Sequence, residues 1–138
     1  MQDSPSPVQG KQATERPSPV LSAVFLVVDL MLVVMFAAAG NRSHETGLSP
    51  GDVASTAAPF MLGLLIATLI TPFARRPSRL WPDGLVVVLL TVGLGMALRV
   101  GLGPGGTQLS FILVATGVLG TLLLGRRLVT GLVRPATR

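Results

Sequence analysis

The sequence predicts an all-α protein: an integral membrane bundle of four transmembrane helices. Three observations carry this prediction. Four apolar runs are separated by short polar segments, only 12% of the residues are charged, and arginine is abundant in alternate segments between the runs. Soluble domains average about 25% charged residues, so a packed soluble core is disfavoured. Because the runs are apolar on every face, we expect lipid to surround them.

The apolar runs are long enough for transmembrane helices. A helix of about 20 residues crosses the roughly 30 Å of hydrocarbon in a bilayer. Residues 19–127 are therefore interpreted as one transmembrane domain, between a disordered tail at 1–18, rich in serine and proline, and a basic tail at 128–138. Within it, the helices are expected at about 20–40, 50–73, 84–101 and 108–127.

The polar segments contain typical helix-start residues. Ser49 suits the N-cap of the second helix, with Pro50 in the first helical position and Asp52 as the acid of a capping box. Asp83 and Thr107 are the expected N-caps of the third and fourth helices.

The arginines predict the orientation of the helices in the membrane. They concentrate in the second hinge and after the fourth run, whereas each of the other two hinges has one arginine in it or close to it, Arg42 and Arg99. Basic residues are enriched on the cytoplasmic side of membrane proteins. We therefore expect a cell-membrane protein with both termini in the cytoplasm, and with the first and third hinges outside.

The composition excludes several kinds of chemistry. The chain has no cysteine and one histidine, His44, which excludes disulfides, thiolate catalysis and cysteine-ligated metals. We expect no metal and no cofactor, and the scarcity of nucleophile–base pairs makes an enzyme the weakest hypothesis. The net charge of +5 does not indicate nucleic acid, because base-stacking aromatics are scarce. The expected partner of the chain is therefore the lipid bilayer and not a nucleic acid.

Two charged residues lie within the apolar runs. Asp29 is in the middle of the first run, where a charge costs about 2.5–3.5 kcal/mol on insertion scales and normally faces a partner or water. It is interpreted either as a proton- or cation-binding residue or as an interhelical hydrogen-bonding residue. Arg99 lies near the outer end of the third run. It either extends its side chain toward the headgroups or pairs with Glu45 or Asp29.

Polar residues on the predicted outer side form the candidate site. The first outer hinge contains Arg42, His44 and Glu45, and the second contains Thr107 with Ser110 close behind. Together with Asp29 and Arg99, these residues could contact an anion or relay a proton, and the alternative is a plain solvated loop.

Small residues recur at helical spacing and predict helix packing. Gly63 and Ala67 follow this spacing in the second run, Gly93 and Ala97 in the third, and Gly120 in the fourth. Small residues let membrane helices approach closely. Their spacing does not say whether they pack within one bundle or between subunits.

Three segments carry a resemblance to a known family. The first, Gly40–Leu48, reads Gly-Asn-Arg-Ser-His-Glu-Thr-Gly-Leu and follows a run that bears an aspartate. The second, Gly95–Arg99, reads Gly-Met-Ala-Leu-Arg, and the third, Gly105–Ala115, contains Gly-Gly-Thr-x-x-Ser-Phe. Together they resemble a family of small bacterial and archaeal membrane proteins described as domain of unknown function 3054.

The resemblance extends from about Val20 to Arg127 and implies four membrane helices. It supplies no established activity. The family's usual second basic residue before Arg42 is Asn41 here, which weakens the idea that paired arginines are needed at this position.

Two functions remain open from the sequence. The clustered polar residues favour a small transporter or channel component for an ion or small solute, acting as a homo-oligomer. The small-residue stripes favour a non-catalytic subunit or assembly factor of a larger membrane complex.

Overall fold

The computed structural model describes residues 18–43, 47–71, 80–102 and 108–133. These residues form four α-helices, named in chain order: α1 (Pro19–Ser43), α2 (Pro50–Ile70), α3 (Asp83–Leu102) and α4 (Leu109–Val133). Each helix is long and apolar enough to cross a membrane. The prediction of an all-α chain with four helices long and apolar enough to cross a membrane is therefore confirmed.

The helices pack in a ring around one apolar core. Each helix contacts its neighbour in the chain, and α1 closes the ring against α4. The α2–α3 contact is the most extensive, and the α1–α4 contact is the sparsest of the four. The large apolar side chains of the core include Phe36, Phe60, Leu64, Leu119 and Leu123.

The outer surface of the ring is also apolar. Large side chains such as Met31, Leu69, Leu113 and Leu132 are each more than half exposed. A soluble protein would cover or replace such a surface, whereas lipid solvates it. Apolar side chains thus lie both in the core and on the outer surface, as the membrane interpretation predicts.

The start of α2 has the predicted cap. The hydroxyl of Ser49 accepts a hydrogen bond from the N–H of Asp52 at 3.2 Å and donates one to the Asp52 carboxylate at 2.6 Å. Pro50 occupies the first turn, where a missing N–H costs nothing. Before the cap, Gly47 has a φ of +91°, a conformation that favours glycine.

The third helix begins differently from the prediction. The first hydrogen bonds of α3 run from Leu85 and Val86 to the carbonyls of Leu80 and Pro82, so Asp83 is the first helical residue and not the cap. In α4, Phe111 and Ile112 donate to the carbonyl of Gln108. The predicted cap Thr107 lies outside the described residues.

The fourth helix continues past the predicted boundary at 127. It runs to Val133, because the residues after Arg127 are again mostly apolar and extend the span. Arg126 and Arg127, which the sequence places in the last two positions of the predicted helix, therefore lie inside α4 and not at its end. This extension changes which residues form the candidate site.

Candidate functional site

The central feature is an ion pair between the first and last helices. Asp29 on α1 accepts two hydrogen bonds from Arg126 on α4: Oδ1 from Nε, and Oδ2 from Nη2 at 2.6 Å. The two side chains are only 8% and 10% exposed. This paired geometry uses both carboxylate oxygens and matches the planar guanidinium fork.

An aromatic ring also contacts the guanidinium group of Arg126. The guanidinium carbon of Arg126 lies 5.2 Å from the centre of the Phe25 ring. Phe25 and Asp29 are one helical turn apart on α1, so they present a ring and a carboxylate to the same cation. Even so, the Nη1 atom of Arg126 is buried and donates no hydrogen bond within the described part of the chain.

Two further charged residues are buried close by. Arg127 is 2% exposed, and it interacts electrostatically with Arg126, Asp29 and Asp83. Asp83, the first residue of α3, is 1% exposed. We call these four residues, Asp29, Asp83, Arg126 and Arg127, the buried charge cluster. Its two acids and two arginines balance in formal charge.

A second polar region lies at the other end of the bundle. The guanidinium carbon of Arg99 on α3 lies 4.8 Å from the centre of the Phe111 ring on α4. Phe111 also belongs to an aromatic group with Phe36 and Phe60, whose ring centres are 5.7–6.4 Å apart. Arg99 therefore has an aromatic partner inside the bundle and not only headgroups outside it.

A hydrogen bond joins two helices at this same end. The hydroxyl of Thr56 on α2 donates to the side-chain oxygen of Asn41 on α1 at 3.0 Å. Asn41 is buried, at 6% exposure. The residue that departs from the resembled family is therefore a helix–helix contact here.

The structure separates Asp29 from Arg99, which the sequence had grouped in one site. Asp29 contacts α4 at Arg126, whereas Arg99 contacts α4 at Phe111. The two positions on α4 are 15 residues apart (126 minus 111), or about 22 Å along the helix. The Asp29 carboxylate accepts its hydrogen bonds from Arg126 and not from Arg99.

The other predicted site residues are less informative. Arg42 is exposed in the last turn of α1, and Ser110 is exposed in the first turn of α4. His44, Glu45 and Thr107 lie outside the described residues. Among the residues that are described, no group of three histidines or acids is placed to hold a metal ion.

The small residues divide between the inside and the outside of the bundle. Gly63 and Ala67 on α2 and Gly120 on α4 are buried. Gly93 and Ala97 on α3 are exposed instead, and a Cβ built on Gly93 would have nothing within 4 Å. In the middle of α3, the glycine that packs inside the bundle is Gly95, because it lies on the helix face that contacts α2.

Sequence reasoning missed three members of the buried charge cluster. Arg126 and Arg127 were predicted at the end of the fourth helix and not as site residues, and Asp83 was predicted as a cap. One signal was present: the mostly apolar segment Leu128–Val133 after the arginines is typical of a continuing span.

One of the comparisons with known proteins identifies the family of the chain. Among curated proteins and solved structures, none matches the chain. The family model described as "Protein of unknown function (DUF3054)" matches residues 26–130, which include Asp29, Asp83, Arg126 and Arg127. The chain therefore belongs to this family, and its four long apolar helices indicate a membrane protein.

Proposed function

We propose that this protein is a small membrane transport protein for an ion or a small solute, and that the buried charge cluster is its working site. The observation that carries the proposal is the Asp29–Arg126 ion pair inside a mostly apolar bundle. Ionisable residues within membrane helices are costly, and they commonly mark ion pathways and proton relays.

Stability alone gives no reason for these charges. Apolar side chains of similar volume pack a protein interior at least as well as a buried ion pair in many measured cases. The charge cluster also leaves buried polar atoms without hydrogen bonds, at Arg126 Nη1 and Asp83 Oδ2, within the described residues. A cluster kept despite these costs is typical of a site that changes state.

The position of the Asp29–Arg126 pair suits a contact that breaks and forms again during transport. Asp29 and Arg126 join α1 to α4, and this is the sparsest of the four helix contacts in the ring. Regions with few packed contacts open at the lowest free-energy cost. Breaking and remaking one ion pair would therefore open and close the bundle along this seam.

A flux assay tests the proposal. Purified protein in liposomes is assayed for movement of H⁺, Na⁺, K⁺ and Cl⁻ with trapped indicators. We expect a flux that Asp29→Asn and Arg126→Gln each reduce at least tenfold. The matched control is Thr121→Val on the exposed face of α4, where the Thr121 hydroxyl donates to the Gly117 carbonyl of the same helix. Wild-type flux in both charge variants would contradict the proposal.

We further propose that both termini are cytoplasmic and that the bundle lies in the cell membrane. The arginine distribution supports this orientation even with Arg126 and Arg127 inside α4, because the second hinge and the last residues stay rich in arginine. Reporter fusions check it: a cytoplasm-active reporter should work at either terminus, and an export-active reporter at either terminus should not.

The second candidate function is a non-catalytic subunit of a larger membrane complex. Its support is the outward face of α3, where Gly93, Ala97 and Gly101 are exposed and the two glycines have nothing within 4 Å of a built Cβ. Small residues on a lipid-facing helix allow close approach of another helix.

A single substitution distinguishes this candidate from transport by the isolated chain. A Cβ built on Gly93 has nothing within 4 Å, so we expect Gly93→Leu to keep the fold while it displaces a partner helix. The control is Gly117→Leu, on an open site of α4. If mild solubilisation recovers the same assembly from wild type and Gly93→Leu, the α3 face is not the contact.

A further inference from the structure

The unpartnered polar atoms inside the bundle are mostly hydrogen-bond donors. Within the described residues, four buried side-chain atoms have no hydrogen-bond partner: Arg99 Nε, Thr91 Oγ1, Arg126 Nη1 and Asp83 Oδ2. The two guanidinium nitrogens can only donate, and the hydroxyl can donate as well as accept. The exception is the acceptor on Asp83, and this carboxylate already interacts electrostatically with Arg127. The interior therefore offers more donors than acceptors to a ligand.

Thr91 is the most informative of these residues, because a threonine in a helix can satisfy its own hydroxyl. Five other described threonines donate to the carbonyl four residues earlier: Thr68, Thr71, Thr116, Thr121 and Thr130. A sixth, Thr56, donates to Asn41 on the neighbouring helix. Thr91 is fully buried, yet its hydroxyl has neither kind of partner within the described structure. It is a hydrogen-bonding group left open to a ligand in the middle of α3.

The three donor residues are spread along the length of the bundle. Arg99 and Thr91 are eight residues apart on α3 (99 minus 91), or about 12 Å. Arg99 contacts the ring of Phe111, which lies about 22 Å along α4 from Arg126. Thr91 therefore lies about halfway between the two guanidinium groups along the bundle.

An aromatic group narrows the bundle between Arg99 and Thr91. Phe60 of α2 packs against Gly95 of α3, which is four residues from each of them. One ring from α1 and one from α4 complete the group, with ring centres 5.7–6.4 Å apart. Because all four helices meet at this level, a solute that passes here has to be small.

A metal cation would find few ligands inside the bundle. Both carboxylate oxygens of Asp29 accept hydrogen bonds from Arg126. The side-chain oxygen of Asn41 accepts one from Thr56. Dehydrated cations need several oxygen ligands, and the described residues bring no group of three acids or histidines together. An anion needs hydrogen-bond donors and positive charge, which the arginines and the free hydroxyl supply.

We infer that the transported solute is a small monovalent anion such as Cl⁻, and that Arg99, Thr91 and Arg126 bind it in turn along the inside of the bundle. The two arginines supply positive charge toward the ends of this route, and the Thr91 hydroxyl donates a hydrogen bond halfway. Each position offers at most one positive charge, which suits a monovalent anion. Passage of the anion rests on the proposed transport function, whereas its binding does not.

Chloride efflux from liposomes that contain the full-length chain tests the route. The vesicles are loaded with KCl and placed in gluconate medium, and valinomycin carries K⁺ so that Cl⁻ movement limits the rate. Thr91→Val keeps the side-chain shape but removes the hydroxyl, so it should lower Cl⁻ efflux about tenfold or more. Thr91→Ser, which keeps the hydroxyl, should retain the efflux.

The matched control for Thr91→Val is Thr68→Val. The Thr68 hydroxyl already donates to the Leu64 carbonyl of its own helix, so its removal should leave Cl⁻ efflux unchanged. Wild-type efflux in Thr91→Val, or an equal loss in Thr68→Val, would overturn the role of Thr91.

Anion binding is measured separately on the full-length chain in detergent. The chloride NMR line broadens when the ion exchanges between water and a protein site. We expect broadening by the wild type that decreases in Thr91→Val and in Arg99→Gln and is kept in Thr68→Val. A wild-type line no broader than that of the detergent alone would overturn the inference.

The two measurements separate the anion from the transport proposal. Chloride broadening without a flux of any ion would keep the anion site and reject transport. A flux of Na⁺, K⁺ or H⁺, with neither Cl⁻ efflux nor chloride broadening, would reject the anion and keep transport.

Discussion

Gly63 on α2 and Gly95 on α3 contact each other through their backbones. A Cβ built on Gly63 would lie 2.9 Å from the Gly95 nitrogen and 2.7 Å from the Thr91 carbonyl oxygen. This contact belongs to the most extensive helix pair of the bundle. The absence of two side chains therefore sets the distance between α2 and α3.

This relationship predicts opposite effects for two glycines of the same helix. Gly95→Ala places a Cβ 3.1 Å from the Phe60 Cα and closer still to its ring, so we expect a loss of about 1–3 kcal/mol. Gly93→Ala should be neutral or stabilising by about 0.5–1 kcal/mol, because its site is open. Denaturant unfolding in detergent, followed by circular dichroism, measures both, and equal effects would contradict the packing.

The Asp29–Arg126 pair predicts strong non-additivity. Removing one partner leaves a buried charge without its counter-ion, so Asp29→Leu and Arg126→Met should each cost about 3–5 kcal/mol. The double variant should recover most of that loss, because it leaves no unpaired charge. Unfolding midpoints of the four proteins provide the cycle. Additive losses would mean that the two residues act independently.

Gly47 predicts a backbone effect just before α2. Its φ of +91° is strained for other residues, and a Cβ would collide with the Asp52 carboxylate, which accepts a hydrogen bond from the capping residue Ser49. Gly47→Ala should therefore cost about 1–2 kcal/mol. Gly51→Ala is the control, since its nearest atom is Ser49 Oγ at 3.8 Å. Thermal unfolding should rank the variants in this order, and a Gly51→Ala loss as large as that of Gly47→Ala would contradict it.

Arg99 and Phe111 predict a measurable coupling at the other end of the bundle. Arg99→Met and Phe111→Leu should each destabilise the protein, and their double-mutant cycle should give about 0.5–2 kcal/mol of coupling. Phe111→Leu alone should have the larger effect, because it also removes contacts with Phe36 and Phe60. No coupling in the cycle would mean that the guanidinium gains nothing from the ring.

Local sequence patterns were enough to predict four helices and the cap at Ser49. Both depend on residues close in the chain: the apolar runs, and a serine followed by proline and an acid. The end of α4 was not predictable in this way. An arginine pair is typical of a helix end at the membrane surface, and its partner Asp29 lies 97 residues away from Arg126.

The packing face of α3 could not be predicted for a similar reason. Gly93 and Ala97 form one stripe at helical spacing, and Thr91 with Gly95 forms another stripe on the same helix. Both stripes suit close packing, and only the position of Gly63 on the neighbouring helix selects the second. The same holds for the candidate site, whose members come from α1, α3 and α4.

The pairing of the first helix with the last has a consequence for biosynthesis. α1 carries Asp29 into the bilayer before its counter-ion on α4 has been made, and α4 arrives with two arginines. Each charge costs about 2.5–3.5 kcal/mol on insertion scales when it is alone. Membrane insertion of α4 therefore depends on the helices already present, and premature termination of synthesis would leave α1 as a poorly anchored span, open to quality-control proteolysis.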